Sequence, residues 1–322
     1  MKTSFAVLWT LALVAGLGVM GCHKDNAPGE QSPAGVTNEQ SAMQYYAVND
    51  EFVKNDEITF ADKAVEPMDY TSFGKIDAAV TPLRWGRFIT NITKNVTITV
   101  QPGDSTAIGK VEKTVTGNLK IRAKTEAGDT VTITKPFTDL STRYVIFKRI
   151  ARETERFWMN WVPVASSLIN GGTIAPNNLI KIVEIKQYLP GGDSITVTNP
   201  ETFFLRYRWL RLFNGGQKDA PMLLGGTTVR LRATVVSASA DTDVVTLRFG
   251  CDMFHARRQR MTFVSQTDNG DGTFTRTFEI SWPVHFHTGF FNAGVDAMTR
   301  STLYDDQAPY AVSWWGIPYR VL

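Results

Sequence analysis

Asn95-Val-Thr-Ile-Thr-Val100 sets the pattern on which the fold turns. Apolar β-branched residues alternate with threonine, so an extended chain here has one greasy face and one hydroxyl-bearing face, as a half-buried antiparallel strand does. The same alternation returns in Thr130-Val-Thr-Ile-Thr134, in Ser194-Ile-Thr-Val-Thr198 and in Thr228-Val-Arg-Leu-Arg-Ala-Thr-Val-Val236. Between such runs stand Pro102-Gly-Asp104, Ala127-Gly-Asp129, Gly191-Gly-Asp193 and Asn269-Gly-Asp-Gly272, the residue types that tight turns demand. No stretch keeps a helical spacing for longer than about three turns. The body of the chain therefore reads as all-β.

Working outward, Ala127-Gly-Asp-Thr-Val-Thr-Ile-Thr-Lys-Pro136 echoes Gly191-Gly-Asp-Ser-Ile-Thr-Val-Thr-Asn-Pro200, and each is followed by an Arg-Tyr pair. Either a hairpin has been duplicated, or both copies carry what any hairpin requires chemically. The glycine-rich stretch Asn214-Gly-Gly-Gln-Lys-Asp-Ala-Pro-Met-Leu-Leu-Gly-Gly226 reads as a linker. It divides the body into a β-sandwich over 79–213 and a second over 227–322, two tandem antiparallel sandwiches.

Upstream of that body the composition changes. From His23 to Val80 there are four lysines against eleven acidic residues, whereas Thr81 to Leu322 carries 29 Lys and Arg against 20 Asp and Glu. An acidic leader, 23–78, precedes a basic body. Its first part, to about residue 40, lacks the apolar side chains needed to offset ordering entropy and reads as a flexible tether. Tyr45, Tyr46, Phe52, Phe60 and Tyr70 then suggest a segment lying against the body.

At the N-terminus, Lys2 precedes an apolar run from Phe5 to Met20, and Val19-Met20-Gly21-Cys22 closes it. Charge, apolar stretch and small residue in that order make a secretory signal. The run falls short of the roughly 20 residues a bilayer span takes. With cysteine directly after the small residue, residues 1–22 resemble a bacterial lipoprotein signal, although Val19 stands where such signals usually carry leucine. The resemblance implies lipidation at Cys22 and an envelope location. His23, in place of an aspartate, implies the outer membrane.

The last 95 or so residues carry a second resemblance. Val229–Val235, Val244–Phe249 and Met261–Ser265, then Asp268-Asn-Gly-Asp-Gly-Thr-Phe-Thr275, Gly289–Ala297 and Trp314–Val321, look like a bacterial Ig-like or fibronectin-like module. That size also suits one immunoglobulin-type sandwich of about 100 residues. Such modules imply spacers, adhesion or carbohydrate attachment rather than catalysis. With Cys22 committed to lipid, Cys251 has no partner for a disulfide, so the fold does not rely on one.

Few residues point to chemistry. Cys251, His255, His285 and His287 gather potential metal ligands within 37 residues, but no tetrahedral spacing or orienting carboxylate accompanies them. They are the runner-up; no metal or other cofactor is expected. Asp268 to Thr273 lacks the closing glutamate of a calcium loop and reads as a hairpin tip. Neither a Gly-x-Ser-x-Gly elbow nor a phosphate loop occurs, so the chain reads as a non-enzyme. Trp158, Trp161 and Trp315, with Arg206 and Arg208, are the candidate binding residues, as platforms and cations for an anionic polysaccharide. The expectation is a lipid-anchored adhesion or surface-contact module with no nucleic-acid partner. The alternative is a subunit of an envelope complex, docking through its leader or an edge strand.

Overall fold

The computed structural model describes residues 32–49, 80–206, 220–250 and 257–322. Cys22, Arg208, Cys251 and His255 lie outside them. Most described residues are in strands, gathered into two sheets that are antiparallel apart from one two-residue contact. The expected all-β class is what the protein has.

Three strands dominate the first half: β1 (Val80–Val100), β2 (Thr106–Thr125) and β3 (Thr130–Arg149). At about 3.3 Å per residue each is roughly 65 Å long, against the usual five or six residues. They pair as a meander from Val80↔Thr125 to Val100↔Ala107, with bulges in β1 at Pro82/Arg84 and Ile89/Asn91, and from Thr106↔Lys148 to Lys124↔Thr130. The two connections are the turns at 102–104 and 127–129. Gly103 and Asp104 both take positive φ in the first, and Gly128 does in the second.

Beyond the meander come β4 (Trp161–Ser167), β5 (Asn170–Thr173), β6 (Ile180–Tyr188), β7 (Ser194–Val197), β8 (Phe204–Arg206) and β9 (Met222–Leu223). They are followed by β10 (Thr228–Ser237), β11 (Val244–Phe249), β12 (Arg257–Arg260) and β13 (Thr262–Asp268). The chain ends with β14 (Phe274–Pro283), β15 (Gly289–Met298), the short helix α2 (Arg300–Tyr304) and β16 (Val312–Val321). The larger sheet runs β1-β2-β3-β5-β16-β15-β11-β12, and the smaller runs β13-β14-β10-β6-β7.

The strands do not divide at 214–226. β6 pairs along β10 from Arg230↔Tyr188 to Ser237↔Ile180, and β5 joins β3 to β16. Ile182, Ile185 and Val197 share one core cluster with Leu231, Phe278, Trp282, Val295 and Trp315. Residues 227–322 alone would leave one edge of β10 unpaired and part of that core missing. The sandwich is thus built from both sides of the expected linker, because a period-two pattern names a strand without naming its neighbour. The two echoing segments also part company: one is the β2–β3 turn, the other the β6–β7 turn of the smaller sheet.

The described part of the leader lies against the body, as Tyr45 and Tyr46 suggest. Glu39–Asn49 is a helix, α1, with Ala42, Met43 and Ala47 buried. Asn38 and Ser41 cap it reciprocally: Ser41 N–H donates to Asn38 Oδ1 at 2.8 Å and Asn38 N–H to Ser41 Oγ at 3.0 Å. Met43 and Ala47 pack on Ala107, Val111, Val145, Phe147 and Trp161, so the helix covers part of the meander's inner face.

Candidate functional site

The three tryptophans expected as platforms are all interior. Trp158 packs with Val36 and Ala42 near α1. Trp161, 1% exposed, donates its Nε1–H to Glu39 at 2.9 Å and lies under the Arg149 guanidinium at 4.5 Å. Trp315 is 2% exposed in the sandwich, with Nε1–H on Asn170 Oδ1 at 3.0 Å. None offers a ring to solvent: Trp161 and Trp315 lie on covered strands, and Trp158, in the 3-10 turn Phe157–Met159, is packed against the start of the leader helix. Arg206 sits half-buried on β8 and so has no open aromatic platform to work with.

Around Trp161 the chain builds a fastening for α1. Glu39 accepts from Arg149 at 2.9 and 2.8 Å and from Asn160 at 2.6 Å. Burial raises the Glu39 pKa, but the hydrogen bonds from Trp161, Arg149 and Asn160 outweigh it and hold the carboxylate below its usual range. The neighbouring open cleft, about 400 Å³ and lined by Thr37, Arg149, Arg152 and Glu153, is shallow. Beneath Leu168, Ile185 and Phe203 an apolar cavity of about 20 Å³ has room for no more than about one water.

His285 and His287, the described members of the runner-up cluster, have ring centroids 6.0 Å apart. His285 is engaged in packing: its Nε2 meets Tyr319 Oη at 3.1 Å and its ring stands edge-on to Phe291 at 4.3 Å. Burial, then His287, lowers its pKa. Among the described residues no three His, Cys, Asp or Glu side chains are grouped to hold a metal. At the hairpin tip Asp268 accepts from Gly270 N–H and Asp271 from Thr273 N–H, so both carboxylates serve the turn.

Sequence reasoning missed the buried charges. Arg87 on β1 grips Asp296 on β15 through two hydrogen bonds of 3.1 and 2.9 Å. Asp139 on β3 accepts from Tyr310 Oη at 3.0 Å, and burial pushes its pKa up to about 7 despite the Arg87 charge. Lys135 donates to the backbone carbonyls of Ser301, Asp305 and Ala308, and burial lowers its pKa to about 8. In the smaller sheet Arg276 pairs with Asp243 at 2.6 Å, both fully buried. These groups tie elements together; none lines an open cleft with a nucleophile and base in reach. Their signal in the sequence was parity: Lys135 and Asp139 share the inward face of β3 with Phe137, Val145 and Phe147.

What remains open to solvent is the other face of the meander. Its cross-strand rungs read Thr93–Thr114–Leu140, Asn91–Thr116–Thr138 and Phe88–Asn118–Pro136 through the middle. Towards the β2–β3 turn they read Arg84–Arg122–Thr132 and Thr81–Lys124–Thr130. Phe88 and Leu140 are 42% and 38% exposed on this face. The result is a long polar plane of hydroxyls and amides with isolated apolar side chains, basic at one end. The chain matches no protein-family model, no curated protein and no solved structure.

Proposed function

We propose that this is an exported envelope protein, anchored by a lipid on Cys22, that contacts a polysaccharide surface without catalysing a reaction. The observation that supports it is the outer face of β1–β3. Three strands of about 20 residues hold hydroxyls and amides in register along a length that suits a polymer better than a small ligand. The tryptophans and Arg206 give way to this face, and Phe88 and Leu140 replace them as the apolar contacts.

Two experiments test the reading. Cys22→Ala is expected to release the protein from the membrane fraction and remove the lipid from its N-terminal peptide; an unchanged distribution overturns the anchor. In a panel of neutral and acidic polysaccharides, replacing the middle rung (Asn91→Ala with Thr116→Ala and Thr138→Ala) is expected to weaken binding by about tenfold or more, the sum of three modest hydrogen bonds. No binding by the unaltered protein to any of them overturns the contact role.

A second reading, docking to another envelope protein, draws on β13. This edge strand is exposed along its whole length, with Phe263 and Val264 at 41% and 49%. An open apolar edge is a template for strand addition. Stable co-purification of a partner, lost on Val264→Lys, would favour it.

A further inference from the structure

Four cations stand together on the outer face near the β2–β3 turn. Arg84 is directly opposite Arg122 across β1 and β2, and Lys120 and Lys124 flank Arg122 two residues away on the same face. All four are exposed. Directly opposed like charges destabilise a sheet, at stems about 5 Å apart. Lys120 lies over the Phe88 ring at 4.8 Å, and none of the four makes an ion pair with a described residue. Glu126 and Asp129 in the adjacent turn form no ion pair with them within 4 Å.

Elsewhere the sheet surfaces are treated differently. On the smaller sheet, Arg232 pairs with Glu279 at 2.6 Å and Arg230 reaches the same carboxylate at 4.0 Å while covering Tyr188. Farther along β2 itself, Lys110 pairs with Glu112 at 2.6 Å. At these places an acid stands beside the cations. At Arg84 and Arg122 it does not, and the exposed Thr132 and Thr134 hydroxyls lie alongside.

We infer that Arg84, Lys120, Arg122 and Lys124 form a subsite for the sulfate or phosphate ester groups of an anionic polysaccharide. An arriving polyanion supplies the countercharge that the sheet omits, and the threonine hydroxyls supply further hydrogen bonds. The identity of the polymer rests on the reading of this face as a polysaccharide contact; the anion site rests on the cations alone.

The test compares immobilised dextran sulfate with uncharged dextran, using the full-length mature protein in detergent. The protein is expected to bind dextran sulfate at low salt. Arg84→Gln with Arg122→Gln is expected to weaken that binding by about tenfold and to flatten its salt dependence by roughly one logarithmic unit for each cation removed. The melting temperature of this variant should stay the same or rise, since the opposed charges are gone. Arg230→Gln with Arg232→Gln should bind as the unaltered protein does. The inference is overturned by no retention on dextran sulfate, by equal retention of the Arg84/Arg122 variant, or by tighter binding to anionic vesicles or to a DNA oligonucleotide. Loss of dextran sulfate binding in the Arg84/Arg122 variant alone, with the Asn91/Thr116/Thr138 variant unaffected, keeps the subsite and sinks the wider contact face; the converse sinks the subsite and keeps the face.

Discussion

In the sandwich, Phe278 and Trp282 on β14 share one continuous apolar cluster with Val295 on β15 and Trp315 and Tyr319 on β16. Under the meander the apolar contacts fall into smaller clusters, and Lys113, Asp139 and Arg143 are buried on the same inward face. The facing sheets of the sandwich bury a continuous apolar layer beside a fully buried ion pair, Arg276–Asp243. The meander is only partly covered, by α1 and by the loop after α2, and it holds those covers with ion pairs and hydrogen bonds. Arg149, for example, pairs with Glu39 of α1 at 2.8 Å, and Lys135 donates to the Ala308 carbonyl of the loop at 2.7 Å. Apolar area weighs more in one region, and the completeness of polar pairing weighs more in the other.

The sharpest break in that comparison comes from the sandwich. Trp282→Ala should cost about 3–5 kcal/mol, the loss for a large buried aromatic. Because β6 and β10 share a sheet, hydrogen-exchange protection of Ile180–Tyr188 should fall together with that of Thr228–Ser237. Retained protection in β6 alone would restore a division at 214–226.

A smaller loss is expected where the regions meet. A methyl at Gly171 would stand 2.0 Å from the Trp314 ring, so Gly171→Ala forces the aromatic out of place. Overpacking of this kind costs about 1–3 kcal/mol. An unchanged melting temperature would mean that β5 is not a tight seam.

On the meander side, Glu39→Ala should cost about 1–2 kcal/mol, because Trp161, Asn160 and Arg149 all lose an acceptor. Exchange at Met43 to Ala47 should rise far more than exchange within β2. Equal effects would mean that α1 and the sheet unfold as one unit.

The subtlest effect is one of pH. Asp139, faced by Arg87, Asp296 and Tyr310, has a folded pKa raised to about 7, so the folded state holds a proton that the unfolded chain releases near pH 4. Its contribution to stability is therefore complete below about pH 4 and is lost as pH rises to about 7. Asp139→Asn should flatten that part of the stability profile, read as melting temperature from pH 5 to 8. A slope unaltered by the substitution would assign it to another group.

Much of the fold was legible because the alternation in Thr130–Thr134 and Thr228–Val236 needs only local chemistry, and the four turn sequences named their own positions. The length of β1–β3 was harder to read. Lys113, Lys135 and Asp139 interrupt the apolar parity, so each strand looks shorter than it is. Helix α1 buries little beyond Ala42, Met43 and Ala47, too faint a stripe to stand out. Trp158 and Trp161 were legible as aromatics of consequence, but what covers them is set by Glu39 more than a hundred residues away. Arg84 and Arg122 face each other only after two strands have paired, and their separation in sequence conceals it.

The four residues of β5 have a mechanical meaning. Among the described residues, three rungs with β16 and four with β3 make up the ladder connecting the meander to the sandwich. The β1–β2 and β2–β3 ladders each hold nineteen. A load entering near α1 and leaving at the sandwich crosses that narrow strip, the Arg87–Asp296 clasp beside it and the apolar cluster in which Leu119 and Phe137 meet Met298, Val312 and Trp314. In backbone hydrogen bonds the molecule is two broad plates on a short rivet line, with side-chain packing as the glue between them.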